Sequence, residues 1–198
     1  MASWFSIRRA ITIATAPAAE PISTAQAKAF LRIDVSDQDT LIDELIASAR
    51  TRVENDTGRS LITTTWDLTF DAFPTARAIP MPRLPMASIS SITSYDDDDS
   101  ASTMSSSDYL VDTAGGRVIL NDDADWPTDL RAHNGGVIRF VAGYGSSGSD
   151  VPEPLRLATY QWLTHFYEHA DPVGEIDAVN IAYAGLIAAY RNAAGIAS

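Results

Sequence analysis

The sequence of 198 residues contains no cysteine, few basic residues and no long apolar segment. Without cysteine there are neither disulfide bonds nor thiolate metal ligands, so a hydrophobic core must hold the fold by itself. The longest uncharged stretch near the C-terminus, residues 178–190, is well short of the roughly 18 apolar residues that cross a bilayer. We therefore predict a globular protein that is not embedded in a membrane.

Basic residues are outnumbered by acidic ones. Fourteen Lys and Arg stand against 26 Asp and Glu, which gives a net charge of −12 and an isoelectric point near 4.4. Proteins that bind nucleic acid phosphates tightly usually carry the opposite charge, so tight nucleic-acid binding is not expected. The hydrophobic content of 45% is that of an ordinary globular protein and not of a disordered chain.

The N-terminal segment, residues 1–22, has some features of a secretion signal. Arg8 and Arg9 precede a mildly apolar run, residues 10–16, that ends in Ala-Thr-Ala. Two threonines interrupt this run, however, and Trp4 and Phe5 lie before the arginines, which is not the order of a signal peptide. We predict a mobile N-terminal arm and not an exported precursor.

Two segments before residue 60 have the pattern of amphipathic helices. Ser23 and Gln26 have the spacing of a capping box, which predicts a short helix to about residue 31. A longer helix is predicted to end near Thr57, because Gly58 readily takes the left-handed conformation that closes a helix. Its apolar residues recur at spacings of three and four: Leu41, Ile42, Leu45, Ile46, Ala49 and Val53.

The middle of the chain, residues 61–150, has the pattern of antiparallel strands. Threonine and apolar residues alternate from Leu61 to Trp66, which favours a pleated strand. Later prolines prevent long helices, and the glycine pairs at 115–116 and 135–136 supply tight turns. Helical patterns return only after Pro152 and Pro154.

Helices therefore flank a block of strands, without the alternation of strand and helix that builds a parallel sheet. The predicted fold is α+β: a small helical bundle with an inserted antiparallel β region. The predicted parts are an N-terminal arm (1–22), a helical domain (23–60 and 151–190), a β-rich insertion (61–150) and a C-terminal tail (191–198).

The β region carries most of the negative charge, with thirteen acidic residues against five arginines. Four consecutive aspartates (Asp96, Asp97, Asp98 and Asp99) begin a serine-rich segment that we predict to be a mobile loop. The order of ligands in a calcium-binding EF-hand is absent, because Ala101 and Ser107 occupy the positions of its glycine and its final glutamate. We interpret the run as a solvated acidic loop.

A glycine-rich segment, residues 143–148, matches the G-x-G-x-x-G pattern of dinucleotide-binding proteins. The helix that should follow directly is delayed by Asp150, Pro152 and Pro154, so its N-terminus cannot lie under a pyrophosphate. We therefore predict a glycine loop that binds no nucleotide cofactor.

The sharpest enzymatic motif is H-x-x-E-H, formed by His165, Glu168 and His169. Two histidines one helical turn apart can bind zinc while the glutamate activates water. A zinc-dependent hydrolase is therefore an alternative function, and it would make the protein an enzyme. A third protein ligand is not apparent, and a histidine near a helix C-terminus is also favoured by the helix dipole. We predict no metal, no cofactor and no catalytic residue.

Many short segments follow one another along the sequence in a characteristic order. Those before the β region are Pro21-Ile22-Ser23, Ala27-Lys28, Phe30-Leu31-Arg32, Asp34, Asp39, Leu41-Ile42 and Thr57-Gly58-Arg59. Those that follow are Trp66, Phe73-Pro74, residues 79–85, Ile89, Ile92, Tyr95, Tyr109, Asp112, Trp126-Pro127, residues 137–145 and Val151-Pro152. Taken together over residues 21–168, they resemble the head-tail connector (adaptor) proteins of tailed bacteriophages and phage-derived gene transfer agents.

The resemblance implies a structural protein that forms a ring, typically of twelve copies, beneath the portal of a DNA-filled head. Its partners would be the portal protein, stopper and tail proteins, and further copies of itself. The acidic β region agrees with a channel that DNA passes without specific binding. The protein would be made in the bacterial cytoplasm and act at the neck of the particle, and a stopper or tail-completion protein is the nearest alternative.

Large residues in the two terminal segments are the candidate contacts with the portal or with a neighbouring subunit. Trp4 and Phe5 precede the first predicted helix, and Tyr190, Arg191 and Ile196 lie at the C-terminal end. Such residues serve well as anchors that become ordered on binding. Packing of these residues on their own subunit is the alternative, and the sequence leaves both open.

Overall fold

The computed structural model describes residues 9–168 and 177–192. The described chain divides into two compact units: a β unit of residues 9–16 and 64–143, and a helical unit of residues 17–63, 144–168 and 177–192. Helices and antiparallel sheets occupy different parts of the chain, which confirms the predicted α+β class. Within the described residues, no helix has both the length and the apolar character needed to span a bilayer.

The helical unit contains four helices: α1 (Thr24–Leu31), α2 (Asp39–Thr57), α3 (Glu153–Glu168) and α4 (Asp177–Ile187). The predicted capping box begins α1, where the Ser23 side chain accepts from the Gln26 N–H and the Gln26 side chain accepts from the Ser23 N–H. Gly58 ends α2 with φ of 65°, the left-handed conformation expected of that glycine.

Apolar side chains from all four helices form the core of the helical unit. The predicted stripe of α2 and the apolar residues of α3 supply most of it: Ile42, Ile46, Ala49, Val53, Leu155, Ala158, Trp162 and Leu163. Leu61 and Ile62, predicted to begin a strand, are also buried in this core, and the strand begins only at Thr64. The reason is that their side chains pack with the helices instead of alternating across a sheet.

A buried ion network fixes the chain on both sides of α2. The Arg50 Nε donates to Glu20 at 2.7 Å, and its Nη1 donates to Glu54 at 2.9 Å. The second carboxylate oxygen of Glu54 accepts the Leu61 N–H at 2.8 Å. Every charge of this network therefore has a partner, as burial requires.

The β unit contains two antiparallel sheets. The larger has the order β1 (Arg9–Thr15), β2 (Thr64–Phe70), β8 (Gly136–Ala142), β4 (Met86–Tyr95), β5 (Ala101–Thr103). The smaller has the order β3 (Ala78–Pro80), β7 (Arg117–Leu120), β6 (Tyr109–Asp112). Alternate residues of these strands form one apolar core with Trp126.

Two predictions about mobile segments are wrong. Residues 9–15 of the predicted N-terminal arm form β1, because the backbone of this segment pairs with β2 and its Ile11 side chain packs against the core. In the predicted serine-rich loop, residues 101–103 form β5, whose backbone pairs with the end of β4. Short polar strands of this kind are stabilised by pairing with an existing sheet edge, and their own sequence contains little that predicts a strand.

Candidate interaction surfaces

The C-terminal helix α4 is tied to α2 by a buried tyrosine. The Tyr183 hydroxyl donates to Asp56 at 2.8 Å, and its ring contacts the Trp162 ring edge to face at 5.5 Å. Burial, together with the hydrogen bond to Asp56, raises the pKa of Tyr183 above its ordinary value. Asp56 also pairs with Arg52 at 2.9 Å, so α2, α3 and α4 meet at one polar cluster.

The segment after α4 continues along the same surface. Tyr190 ends a short 3-10 helix, where its carbonyl accepts from the Arg59 Nε and its ring centroid lies 5.7 Å from the Arg59 guanidinium carbon. The Asn192 N–H then donates to the Thr57 carbonyl at 2.7 Å. The half-buried Tyr190 thus packs on its own chain, while Arg191 is exposed. The other predicted terminal contacts (Trp4, Phe5 and Ile196) lie outside the described residues.

The four aspartates form the turn between β4 and β5. The Asp96 carboxylate accepts the N–H groups of Asp98 and Ser100 at 3.0 and 2.8 Å, which closes the turn. Asp99 has φ of 60° and pairs with Arg131 at 2.7 Å. Asp96 and Asp99 therefore hold the turn together, whereas Asp97 and Asp98 are exposed and have no ion pair among the described residues.

The first residue of the H-x-x-E-H motif, His165, contacts aromatic side chains. The His165 ring centroid lies 5.5 Å from that of Trp162 and 6.0 Å from that of Phe166. Glu168 is exposed, and His169 lies outside the described residues. Over 9–168 and 177–192, no three His, Asp or Glu side chains lie close enough to hold a metal ion. The structure therefore places His165 within an aromatic cluster.

The glycine-rich segment packs against the chain before α1. A Cβ on Gly148 would lie 2.5 Å from the Pro21 carbonyl oxygen, so only glycine fits at this close approach. The Asp150 carboxylate accepts the Ser147 N–H at 3.0 Å and closes the loop onto itself. As predicted, α3 begins only at Glu153. Packing thus explains the glycine that ends the motif.

A groove of about 620 Å³ lies in the helical unit, and sequence reasoning did not predict it. Its floor includes the buried Ile22 and Ile46. Two of its carboxylates already have partners, since Glu20 binds Arg50 and Asp43 accepts from the Thr24 hydroxyl. Its lining comes from four separate segments (19–26, 43–46, 146–149 and residue 156), so no single motif marks it.

The helical unit also presents exposed apolar side chains. Phe30, Val35, Leu41 and Leu157 are each 41–56% exposed. The ring of Phe30 stacks on that of Tyr160, with a centroid distance of 4.6 Å. A contiguous exposed patch of such side chains is typical of surfaces that bind another protein.

The fold is similar to that of proteins from phage-like particles. A chain from the neck of an empty gene transfer agent (GTA) particle computed with C6 symmetry matches with a TM-score of 0.77 and 20% identity, over 92% of this chain and 95% of the other. A chain from the virion of a native GTA particle matches equally well at 21% identity and the same coverage. A chain from a native GTA neck computed with C12 symmetry has a TM-score of 0.70, at 21% identity and the same coverage. At this identity the matches establish a shared fold.

Sequence comparison identifies the family. No curated protein sequence matches the chain significantly. The model of one family, described as head completion protein, matches residues 20–173 and so includes most of both units. Because the match covers well over half of the sequence, the chain belongs to the head completion protein family.

Proposed function

We propose that this protein is a structural neck adaptor of a phage or phage-like particle, located between the portal and the stopper or tail. The main support for this proposal is the family match over residues 20–173. The similarity of the fold to chains from GTA necks supports the same location in the particle. The protein acts as a docking platform that is made in the bacterial cytoplasm and incorporated into the virion.

The adaptor works as a ring, for which we propose twelve copies. Similar chains come from necks computed with C6 and C12 symmetry, and a cyclic ring needs a heterologous contact between two different patches of each subunit. The exposed apolar side chains of the helical unit (Phe30, Val35, Leu41 and Leu157) are suited to one side of this contact. Each neighbour would supply a different surface to cover them.

The ring extends the channel through which DNA leaves the head. The charge of the β unit supports this role, because carboxylates repel the phosphates of DNA and prevent adhesion to the wall. Asp97 and Asp98 are suited to line such a channel, since they are exposed and are not needed to close their turn. DNA would thus pass without specific binding.

The C-terminal tail, from Arg191 onward, is the proposed contact with the portal. Tyr190 holds the beginning of this tail against Arg59, while the Arg191 side chain is exposed to a partner. Trp4, Phe5 and Ile196 complete the proposed set of contacts with the portal or a neighbouring subunit. An anchored base lowers the conformational entropy that a tail loses on binding.

We also propose that the protein has no catalytic activity. Membership of a head completion family favours a structural role. Among the described residues, nothing favours the alternative zinc hydrolase, since His165 contacts aromatic rings and Glu168 is exposed. Elemental analysis of the purified chain tests this point, because stoichiometric zinc would contradict it.

Deletion of the gene, followed by electron microscopy of the particles, tests the adaptor proposal. We expect filled or leaking heads beside unattached tails, and complementation with the gene should restore whole particles. Normal tailed particles would refute the proposal. A stopper or tail-completion protein would give similar heads, so the second measurement locates a labelled copy: directly at the portal for an adaptor, farther from the head for a stopper.

A further inference from the structure

The outer edge of β1 differs from the other sheet edges of the β unit. β1 is seven residues long, and its residues 10–15 contain neither a charge nor a proline. Within the described chain β1 pairs only with β2, so no described strand pairs with the other edge of its residues 10–15. Long neutral edges are usually avoided, because they add strands from other chains.

The remaining edges have the usual protection. β5 is three residues long and follows the turn of four aspartates, and β3 is three residues long and ends at Pro80. β6 is four residues long, with Asp108 before it and Asp112 at its end. Shortness, acidic charge and proline each discourage strand addition, so β1 is the edge suited to it.

The apolar face of the sheet is interrupted at β1. One row of cross-strand neighbours runs from Ile89 through Phe140 and Trp66 to Ile13. Phe140 and Trp66 are at most 5% exposed, whereas Ile13 at the end of the row is 49% exposed. A further strand that carries an apolar residue beside Ile13 would bury it.

Residues 10–14 of β1 have a palindromic sequence, Ala-Ile-Thr-Ile-Ala. Two such strands that pair antiparallel about Thr12 bring Ile11 of one copy opposite Ile13 of the other, on the same face. We propose that the free protein pairs with a second copy of this chain through β1, with the two Thr12 residues opposite each other on a two-fold axis. The pair of strands joins the five-stranded sheet of one copy to that of the other and covers Ile13 in both copies.

This contact belongs to the free chain and does not depend on the adaptor proposal. A two-fold contact uses the same patch on both copies and is closed, so it cannot continue around a ring. A single strand pair also buries much less surface than a standard interface, which makes the contact weak and reversible. Free copies that pair in this way keep the outer edge of β1 covered.

The absence of cysteine allows a direct test with single-cysteine variants. In the proposed register Thr12→Cys places two sulfurs across the axis, with Cα atoms about 4.5–5.5 Å apart, within disulfide range. The matched control is Ala10→Cys, which lies on the same exposed face two residues from the axis. Its Cα atoms would be about 14 Å apart, too far for a disulfide. Under mild oxidation we expect covalent dimers of Thr12→Cys to form at least about tenfold faster.

A second experiment tests the edge without oxidation. Sedimentation equilibrium of the wild-type chain from about 1 μM to 1 mM should show a monomer–dimer equilibrium. Ile13→Lys places a charge beside the apolar residues of the second copy and should raise the dissociation constant of the dimer at least about tenfold. The control is Leu110→Lys, at another exposed apolar residue, on β6, and it should leave the equilibrium unchanged. Circular dichroism verifies that both variants fold.

Three results would overturn the proposal. Equal rates of disulfide formation for the two cysteine variants would exclude the register. A wild-type chain that remains monomeric throughout the concentration range would exclude the pairing. Amides of β1 that exchange freely in the isolated chain, but are protected in assembled particles, would show that another chain covers this edge instead.

Discussion

Glu54→Ala tests whether the buried ion network holds the helical unit together. The Glu54 side chain is 4% exposed and that of Arg50 is 11% exposed, so water can replace little of what the substitution removes. The variant loses the acceptor of the Leu61 N–H and one of the two carboxylates that Arg50 contacts. Glu20, which is 31% exposed, remains beside Arg50 as its only carboxylate in the network.

The loss can be estimated from these contacts. Removal of one partner of a buried ion pair costs about 3–5 kcal/mol, and we expect the lower value, about 3 kcal/mol, because Glu20 still neutralises Arg50. For a chain of this size each kcal/mol lowers the melting temperature by about 2–4 °C, so a decrease of about 6–12 °C should result. Calorimetry or thermal denaturation followed by circular dichroism measures this decrease.

Two variants serve as controls for this measurement. Glu54→Gln keeps an oxygen that can accept the Leu61 N–H, so it should lose clearly less stability than Glu54→Ala. Glu44→Ala removes an exposed carboxylate from the same helix and should change stability by less than about 0.5 kcal/mol. If Glu54→Ala were no less stable than Glu44→Ala, the buried ion network would not stabilise the fold.

Three further predictions follow from local contacts. Tyr183→Phe removes the hydrogen bond to Asp56 and should cost about 1–2 kcal/mol, measured by urea denaturation. Truncation after Ala189 should abolish binding to the portal in co-sedimentation while the circular dichroism spectrum is retained, and retained binding would count against the C-terminal contact. The Gly115 N–H and Arg117 hold the pKa of Asp112 below its usual range. The Asp112 carboxylate therefore stabilises its turn above about pH 4. NMR should show that this stabilisation is lost as the pH falls through the lowered pKa, and the same pH dependence should be absent in Asp112→Asn.

The sequence predicts the helical part of the fold well, because local signals and burial agree there. The capping box at Ser23 and Gln26 begins α1, and Gly58 ends α2, as predicted. Most of the predicted apolar stripe of α2 is buried in the core that the structure describes, together with apolar residues of α3, whereas Leu41 of α2 is 47% exposed. In each case residues within one helix determine the outcome, so no distant partner needs to be known.

The errors occur where the outcome depends on a distant partner. β1 contains only two isoleucines, and it becomes a strand because β2, more than fifty residues later, provides its backbone partners. β5 is a strand of small polar residues that β4 supports in the same way. The groove of the helical unit was not predicted for a related reason, since its lining comes from four distant segments.

We expect that part of the charge of the aspartate turn can be removed without altering the fold of the β unit. Asp96 accepts two backbone N–H groups, so Asp96→Ala should cost about 1–2 kcal/mol, whereas Asp99 pairs with Arg131. Asp97 and Asp98 make no such side-chain contact in the described structure, so Asp97→Asn with Asp98→Asn should leave stability unchanged within about 0.5 kcal/mol. Particles that carry this double variant therefore test the charge of the acidic turn separately from its contribution to the fold. Altered DNA release from stable particles would assign the charge to the channel, and unaltered release would remove Asp97 and Asp98 from its lining.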